Sequence, residues 1–345
     1  MTHARIGKKF PPSFSLDVEF EIGEGVTGIY GETGSGKTVI LQALAGFILP
    51  DSGRILRDDV LLFDAEARVD VPARRRNCGY IPQGDTLFPH MTVRQNLGFA
   101  ARGARLERYR RIAEMLERFG LSDAALRRPG GLDPSQKPRA TLARALIAHP
   151  ALLLLDDPDW PGGLFRQLRA EFAGPVLLAT RDLDRCCLLA DRMLVLEGGR
   201  VLQRGSPAEV LDQPESVAVA RLVGIPNVFE CTIAGLDPGR NSSRLELDLA
   251  SGRQVLTGPY FPGHFRGDRV WIAIRPERVR AHATGTEGIV NGLGAQLVRA
   301  SHLARCVRLE FAGGIFADLS REDYERQKDN RGWQVEFPPA ALRVL

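Results

Sequence analysis

The sequence predicts an α/β domain organised on a buried parallel sheet, followed by a small all-β domain of barrel-like type. Three observations carry this reading. Residues 31–38 fit the phosphate-loop pattern G-x-x-x-x-G-K-[ST], with a β-branched apolar run entering the loop and a helix-like run leaving it. Residues 152–155 are four leucines that end in Asp156 and Asp157, the pattern of a central parallel strand buried on both faces. After about Gly224, short apolar runs alternate with Gly-, Pro- and Asn-rich breaks. A chain of 345 residues exceeds one ordinary core, and the boundary falls near Pro226, giving domains 1–225 and 226–345.

The elements follow in order. Phe14, Leu16, Val18, Phe20 and Ile22 alternate with polar residues, so 13–22 reads as a half-buried strand that reaches a turn at Gly23, Glu24 and Gly25. The phosphate loop and its helix come next, then a turn around Pro50 to Gly53 and a hairpin region at 54–63. Arg74, Arg75 and Arg76 are the densest basic cluster and read as a solvated loop. A short strand at 79–83 ends on Gln83, and a helix is expected over 94–101. Leu106, Tyr109, Ile112, Leu116 and Phe119 recur at helical spacing over 104–119, which predicts an amphipathic helix with a core-packing face. A polar Gly/Pro segment at 127–139 precedes a helix at 140–148. Residues 175–180 form a second buried strand ending at Arg181, and 193–203 form a hairpin. Strands of the second domain are expected at 229–233, 244–249, 270–275, 295–298, 306–311, 333–337 and 341–345.

Composition bounds the remaining classes. There is no run of about 18 apolar residues and no apolar core behind the N-terminus, so neither a membrane span nor a secretory signal is expected. The five cysteines are odd in number, scattered and without a Cys-x-x-Cys, which fits a reduced cytoplasm and indicates no zinc site. Net charge is +4, and no arginine block is interleaved with aromatic residues as a base-stacking surface requires, so nucleic acid is not an expected partner.

The loop chemistry needs these residue types. Glycines let successive N–H groups turn inward toward phosphate oxygens, and the following helix adds the positive end of its dipole. Lys37 is placed to bridge terminal phosphates and Thr38 to hold Mg²⁺ through its hydroxyl. Asp156 lies at the C-terminal end of its strand, where open α/β sheets bind ligands, and is the expected Mg²⁺ partner. The first domain is therefore expected to be a P-loop NTPase that binds a nucleoside triphosphate with Mg²⁺.

Together these landmarks resemble the ATP-binding subunit of ABC transporters, of the importer type with a C-terminal TOBE-like β domain. Residues 31–38 match Walker A and 152–158 match Walker B. Residues 79–83 with 87–93 resemble the Q-loop region, and 142–146 resemble the helix after the signature motif. Residues 227–229, 274–277 and 335–342 resemble the TOBE domain of oxyanion and metal-ion importers, with the molybdate, tungstate, sulfate and ferric-iron groups nearest. The resemblance implies ATP contacts from Gly31, Glu32, Thr33, Gly34, Ser35, Gly36, Lys37, Thr38 and Gln83. It implies Mg²⁺ ligation by Thr38, Gln83 and Asp156, a helical subdomain at about 86–145, and a peripheral position on the cytoplasmic face of the membrane. Two such subunits would sandwich two ATP molecules, as a homodimer or with a standard partner. They would drive permease subunits docked near Gln83 and residues 85–120, and a binding protein outside the membrane would deliver an oxyanion of the molybdate kind. An aromatic residue upstream of Walker A stacks on adenine in this family; Phe10 and Phe14 are candidates, and a core position is the alternative for both.

Four positions depart from that pattern, and all bear on hydrolysis. The signature Leu-Ser-Gly-Gly-Gln is replaced by Leu132-Asp133-Pro134-Ser135-Gln136, which sets a negative charge where a partner's γ-phosphate would approach and removes an N–H. Asp157 replaces the catalytic glutamate and is one methylene shorter. Arg181 replaces the switch histidine and is permanently charged. No Asp-loop is recognisable at 159–163. Asp157 and Arg181 are nevertheless the catalytic candidates, and Asp133, Pro134, Ser135 and Gln136 form the segment expected to face a partner's ATP. The expectation is an ATP hydrolase that couples ATP binding and hydrolysis to uptake, with binding intact and hydrolysis weakened; the alternative is an ATP-binding regulatory or structural subunit that hydrolyses weakly or not at all.

Overall fold

A computed structural model describes residues 1–84, 86–249, 252–286, 288–329 and 332–345. The chain divides into two compact units, Met1–Val210 and Leu211–Leu345. Among the described residues no helix is long and apolar enough to cross a membrane.

The first unit holds strands β1 (Thr2–Phe10), β2 (Phe14–Ile22), β3 (Val26–Tyr30), β4 (Ser52–Arg57), β5 (Val60–Asp64), β6 (Val69–Asp70), β7 (Cys78–Ile81), β8 (Leu152–Asp156), β9 (Val176–Thr180), β10 (Arg192–Glu197) and β11 (Arg200–Gly205). Its helices are α1 (Lys37–Ala45), α2 (Val93–Ala100), α3 (Arg105–Arg118), α4 (Gln136–Leu146), α5 (Gly162–Glu171) and α6 (Leu183–Leu189). One sheet runs β11-β10-β3-β9-β8-β7, parallel except for β11, and a second, antiparallel, runs β2-β1-β4-β5-β6.

The four leucines of β8 show why such a strand reads as an unbroken apolar run. Side chains alternate across a strand. Leu153 and Leu155 join the core shared with α2–α5, while Leu152 and Leu154 join the core shared with α1 and the antiparallel sheet. Both faces are covered, so neither can be polar.

Several expectations change on folding. Thr2–Phe10 is a full strand paired along its length with β2, burying Thr2, Ala4 and Ile6; of these only Ile6 is a large apolar residue, too little to register as an apolar alternation. On α3, Leu106 and Tyr109 are exposed and only Leu116 is buried, so the core-packing face is confined to its C-terminal half. α4 begins four residues earlier than the apolar periodicity indicates. The segment at 159–163 leads into α5, anchored by buried Trp160 with its ring 5.2 Å from Phe165. Arg76 is not a solvated loop residue: it is fully buried. The docking stretch expected at 85–120 starts with Asp85, which lies outside the described residues; α2 and α3 supply the rest.

Among the described residues of the second unit, three antiparallel sheets of five, three and three strands enclose one apolar core. Residues 211–225, expected with the first domain, group with this unit. The helix Val217–Leu222 buries Val219 and Ala220, and Arg275 Nε donates to the Leu211 carbonyl at 3.2 Å. Asn227 is fully buried and pairs both ways with the Phe316 backbone, accepting from its N–H at 2.7 Å and donating to its carbonyl at 2.8 Å. Arg275 also meets Glu277 at 3.3 Å.

Candidate nucleotide site

The site is built from the sheet outward. β3 delivers the chain to the phosphate loop, and α1 carries it away. Gly36 sits at φ 108, and a Cβ there would approach Leu16 Cδ1 to 2.8 Å; a Cβ on Gly31 would lie 2.2 Å from the Leu196 carbonyl oxygen. Glycine is thus required twice, once for its backbone angle and once for a close approach to β10.

Lys37 is buried and holds the loop from within. Its ammonium donates to the Gly31 and Glu32 carbonyls, each at 2.7 Å, and to Ser35 Oγ at 3.3 Å. Burial pushes its pKa down, opposed by the charges of Asp157 and Asp156. Thr38 Oγ1 donates to Asp156 Oδ1 at 3.1 Å, and the Tyr80 hydroxyl donates to Asp156 Oδ2 at 3.3 Å. Desolvation raises the Asp156 carboxyl above the ordinary range, and the two hydroxyl bonds pull the other way.

Asp157 is held differently. Its backbone is left-handed at φ 44, its N–H donates to the Ala179 carbonyl at 2.8 Å, and its Oδ1 accepts from Thr180 Oγ1 at 3.1 Å. Arg181 Nε lies 3.4 Å from Oδ2 and Arg185 NH1 lies 4.0 Å from Oδ1. Arg185 also donates to the Pro158 carbonyl at 2.7 Å, which fastens the strand exit to α6.

A cavity of about 410 Å³ opens over the loop. Thr33, Gly34, Gly36, Lys37, Thr38, Gln83, Asp156, Asp157 and Arg181 all line it, so folding gathers most of the residues expected to contact ATP or metal. Gly31, Glu32 and Ser35 stand behind it as acceptors for Lys37. Phe10 and Phe14 form its aromatic rim with ring centroids 6.0 Å apart; Phe14 also packs on the core. The three expected ligands that line the cavity, Thr38, Asp156 and Gln83, offer a hydroxyl, a carboxylate and an amide oxygen. That suits a hard cation such as Mg²⁺, which takes one or two protein oxygens and completes its shell with phosphates and water.

Asp133, Pro134, Ser135 and Gln136 do not line this cavity among the described residues. They start α4 instead. Asp133 Oδ1 accepts from the Ser135 N–H at 2.8 Å, the Ser135 hydroxyl at 2.7 Å and the Gln136 N–H at 2.9 Å. Those bonds, led by the Ser135 hydroxyl, hold its carboxyl below the usual range. The carboxylate therefore caps the helix from inside.

Sequence reasoning missed Tyr80, Thr180 and Arg185. Only Arg185 carried a signal, its i+3 spacing from Asp182, whose side chain caps α6 through the Arg185 N–H at 2.9 Å.

A family profile described as ABC transporter matches residues 15–159. The chain is 33% identical over 261 residues to a molybdenum import ATP-binding protein of Rhodospirillum rubrum, covering 70% of each chain. It is 30% identical over 321 residues to a spermidine/putrescine import ATP-binding protein of Vibrio cholerae, covering 88% of this chain and 81% of that one. Among solved structures, cbiO1 of Clostridium perfringens, part of the ABC transporter complex cbiONQ, shares the fold with a TM-score of 0.54. It is 24% identical and covers 64% of this chain and 94% of its own. With the phosphate loop and the acidic strand end on one sheet and relatives of this identity and coverage, the chain belongs to the ABC transporter family, among its import-type ATP-binding subunits.

Proposed function

We propose that this chain binds ATP with Mg²⁺ in the cavity over the phosphate loop and serves an importer on the cytoplasmic face of a membrane, with hydrolysis strongly attenuated. The observation that carries the reading is the state of Asp157. A general base must be free to take a proton from water. Here Oδ1 accepts from Thr180 Oγ1 at 3.1 Å, and Oδ2 pairs with the exposed Arg181 at 3.4 Å, so the carboxylate is already tied to two neighbours. Lys37, Thr38 and Asp156 keep the arrangement that binding needs. Asp133 favours the stronger form of the reading, an ATP-binding regulatory subunit that does not turn over, because its carboxylate consumes donors that the family offers to a partner's phosphate.

The test is turnover against binding in the purified protein, alone and with its permease. ATP is retained while turnover stays low, and Asp157→Glu combined with Arg181→His raises the rate by about 10²-fold, the contribution of a working general base. If the pair leaves the rate low, Asp133→Ser is added and the deficit is assigned to residues 132–136. Unmodified protein hydrolysing as fast as a relative with glutamate, histidine and an intact signature sinks the attenuated reading.

For the cargo we propose an oxyanion of the molybdate or tungstate kind. The support is likeness to the molybdenum relative and to the TOBE pattern. Uptake through the assembled transporter is competed by molybdate and not by spermidine; the reverse result moves the chain to the polyamine group.

A further inference from the structure

Tyr80 lies outside the phosphate loop, yet its hydroxyl ends on the same carboxylate that Thr38 holds. It sits on β7, the edge strand of the parallel sheet, where the register pairs it with Leu154 of β8, two residues before Asp156. The two oxygens of Asp156 are thereby divided: Oδ1 accepts from Thr38 at 3.1 Å and Oδ2 from Tyr80 at 3.3 Å. The phenol oxygen in turn is hydrogen-bonded by the Gln42 side chain. Gln42 follows Thr38 by four residues on α1, so both project from one face of that helix. α1 thus reaches Asp156 twice, directly through Thr38 and indirectly through Gln42 and Tyr80. The Tyr80 ring is half-buried and braced against Phe47 at 5.5 Å.

We propose that Tyr80 is a positioning residue for the divalent cation of the bound nucleotide, holding Oδ2 of Asp156 so that Oδ1 stays beside the Thr38 hydroxyl. The inference rests on the reading that the cavity takes Mg²⁺ with a nucleotide. A carboxylate held through one oxygen cannot rotate freely, and partners of this kind change metal affinity without touching the metal.

Tyr80→Phe keeps the ring and its contact with Phe47 and deletes only the hydroxyl. ATP affinity is measured by calorimetry in EDTA and across a Mg²⁺ titration, and Mn²⁺ binding to the protein–ATP complex is followed by electron paramagnetic resonance. Expected for Tyr80→Phe is a roughly tenfold rise in half-saturating Mg²⁺ and in Mn²⁺ dissociation constant, with metal-free ATP affinity and melting temperature unchanged. Gln42→Ala, which leaves the hydroxyl but removes its donor, shifts both metal readouts the same way by a smaller factor. The inference is overturned by metal titrations of Tyr80→Phe that superimpose on those of the unmodified protein. It is equally overturned by an equal loss of ATP affinity with and without metal. If the unmodified protein shows no Mg²⁺-dependent ATP binding, the reading of the cavity fails first.

Discussion

Lys37→Ala reduces ATP affinity by about 100-fold or more. The Lys37 ammonium is buried and makes three short contacts inside the loop, two to carbonyls and one to a hydroxyl. Removing it deletes the positive charge nearest the cavity floor and leaves the Gly31 and Glu32 carbonyls without that donor. Bonds to a charged group contribute about 1.5–3 kcal/mol each, and loss of roughly 3 kcal/mol is more than a hundredfold in affinity. Lys37→Arg does not rescue binding, because a planar guanidinium cannot replace a compact ammonium in so enclosed a space. Calorimetric titration with ATP checks this, with circular dichroism to establish that the variant is folded. Affinity within threefold of the unmodified protein would place nucleotide binding elsewhere.

Arg76→Met destabilises the first unit by about 3–5 kcal/mol, the cost of leaving the Ala43, Leu44 and Val71 carbonyls without their donor at about 1–3 kcal/mol each. The Arg76 side chain is wholly inaccessible. Its guanidinium donates to the carbonyls of Ala43 at 2.7 Å, Leu44 at 3.1 Å and Val71 at 2.7 Å, and to Asp70 Oδ1 at 2.8 Å. Ala43 and Leu44 are in the last turn of α1, so Arg76 caps the C-terminus of the helix whose N-terminus faces the cavity. Gly46 makes room for it: a Cβ there would lie 2.7 Å from Arg76 Nε. Methionine fills much of the volume and supplies no donor. For a unit of this size the loss corresponds to a melting temperature lower by roughly 10 °C. Arg76→Lys recovers only part of it, since one ammonium cannot reach four acceptors laid out for a fork. A melting temperature unchanged within about 2 °C would show that the cap contributes little.

These two residues mark where legibility in the sequence ends. Lys37 was identifiable because its partners lie within a few positions of it: the loop, its glycines and the helix start are one contiguous stretch. Arg76 reads as the third member of a solvated triplet because the helix carbonyls that bury it, Ala43 and Leu44, lie 33 and 32 residues upstream on α1, and no local pattern records them. The same distinction runs through the site. Asp156 announced itself as the polar end of an apolar run, whereas Tyr80, on a neighbouring strand, gave no sign that its hydroxyl faces that carboxylate. Asp133 was legible as a departure, but its folding back onto Ser135 and Gln136 needed the helix start in three dimensions. On α3 the helical period is legible in the sequence and the exposure of Leu106 and Tyr109 is not, since periodicity gives a face and says nothing about whether anything covers it.

By itself, then, the sequence determined the family, the phosphate loop, the apolar strands and the positions where hydrolytic residues have changed, because each is a local pattern of residue types. Only the tertiary structure decided what surrounds those positions. Asp157 is clamped between Thr180 and Arg181 because β8 and β9 are adjacent parallel strands whose ends lie side by side, and Arg76 is buried because α1 packs over the chain that carries it. Both facts depend on which segments the sheet brings together, and that is settled by packing across the whole unit rather than by any stretch of it.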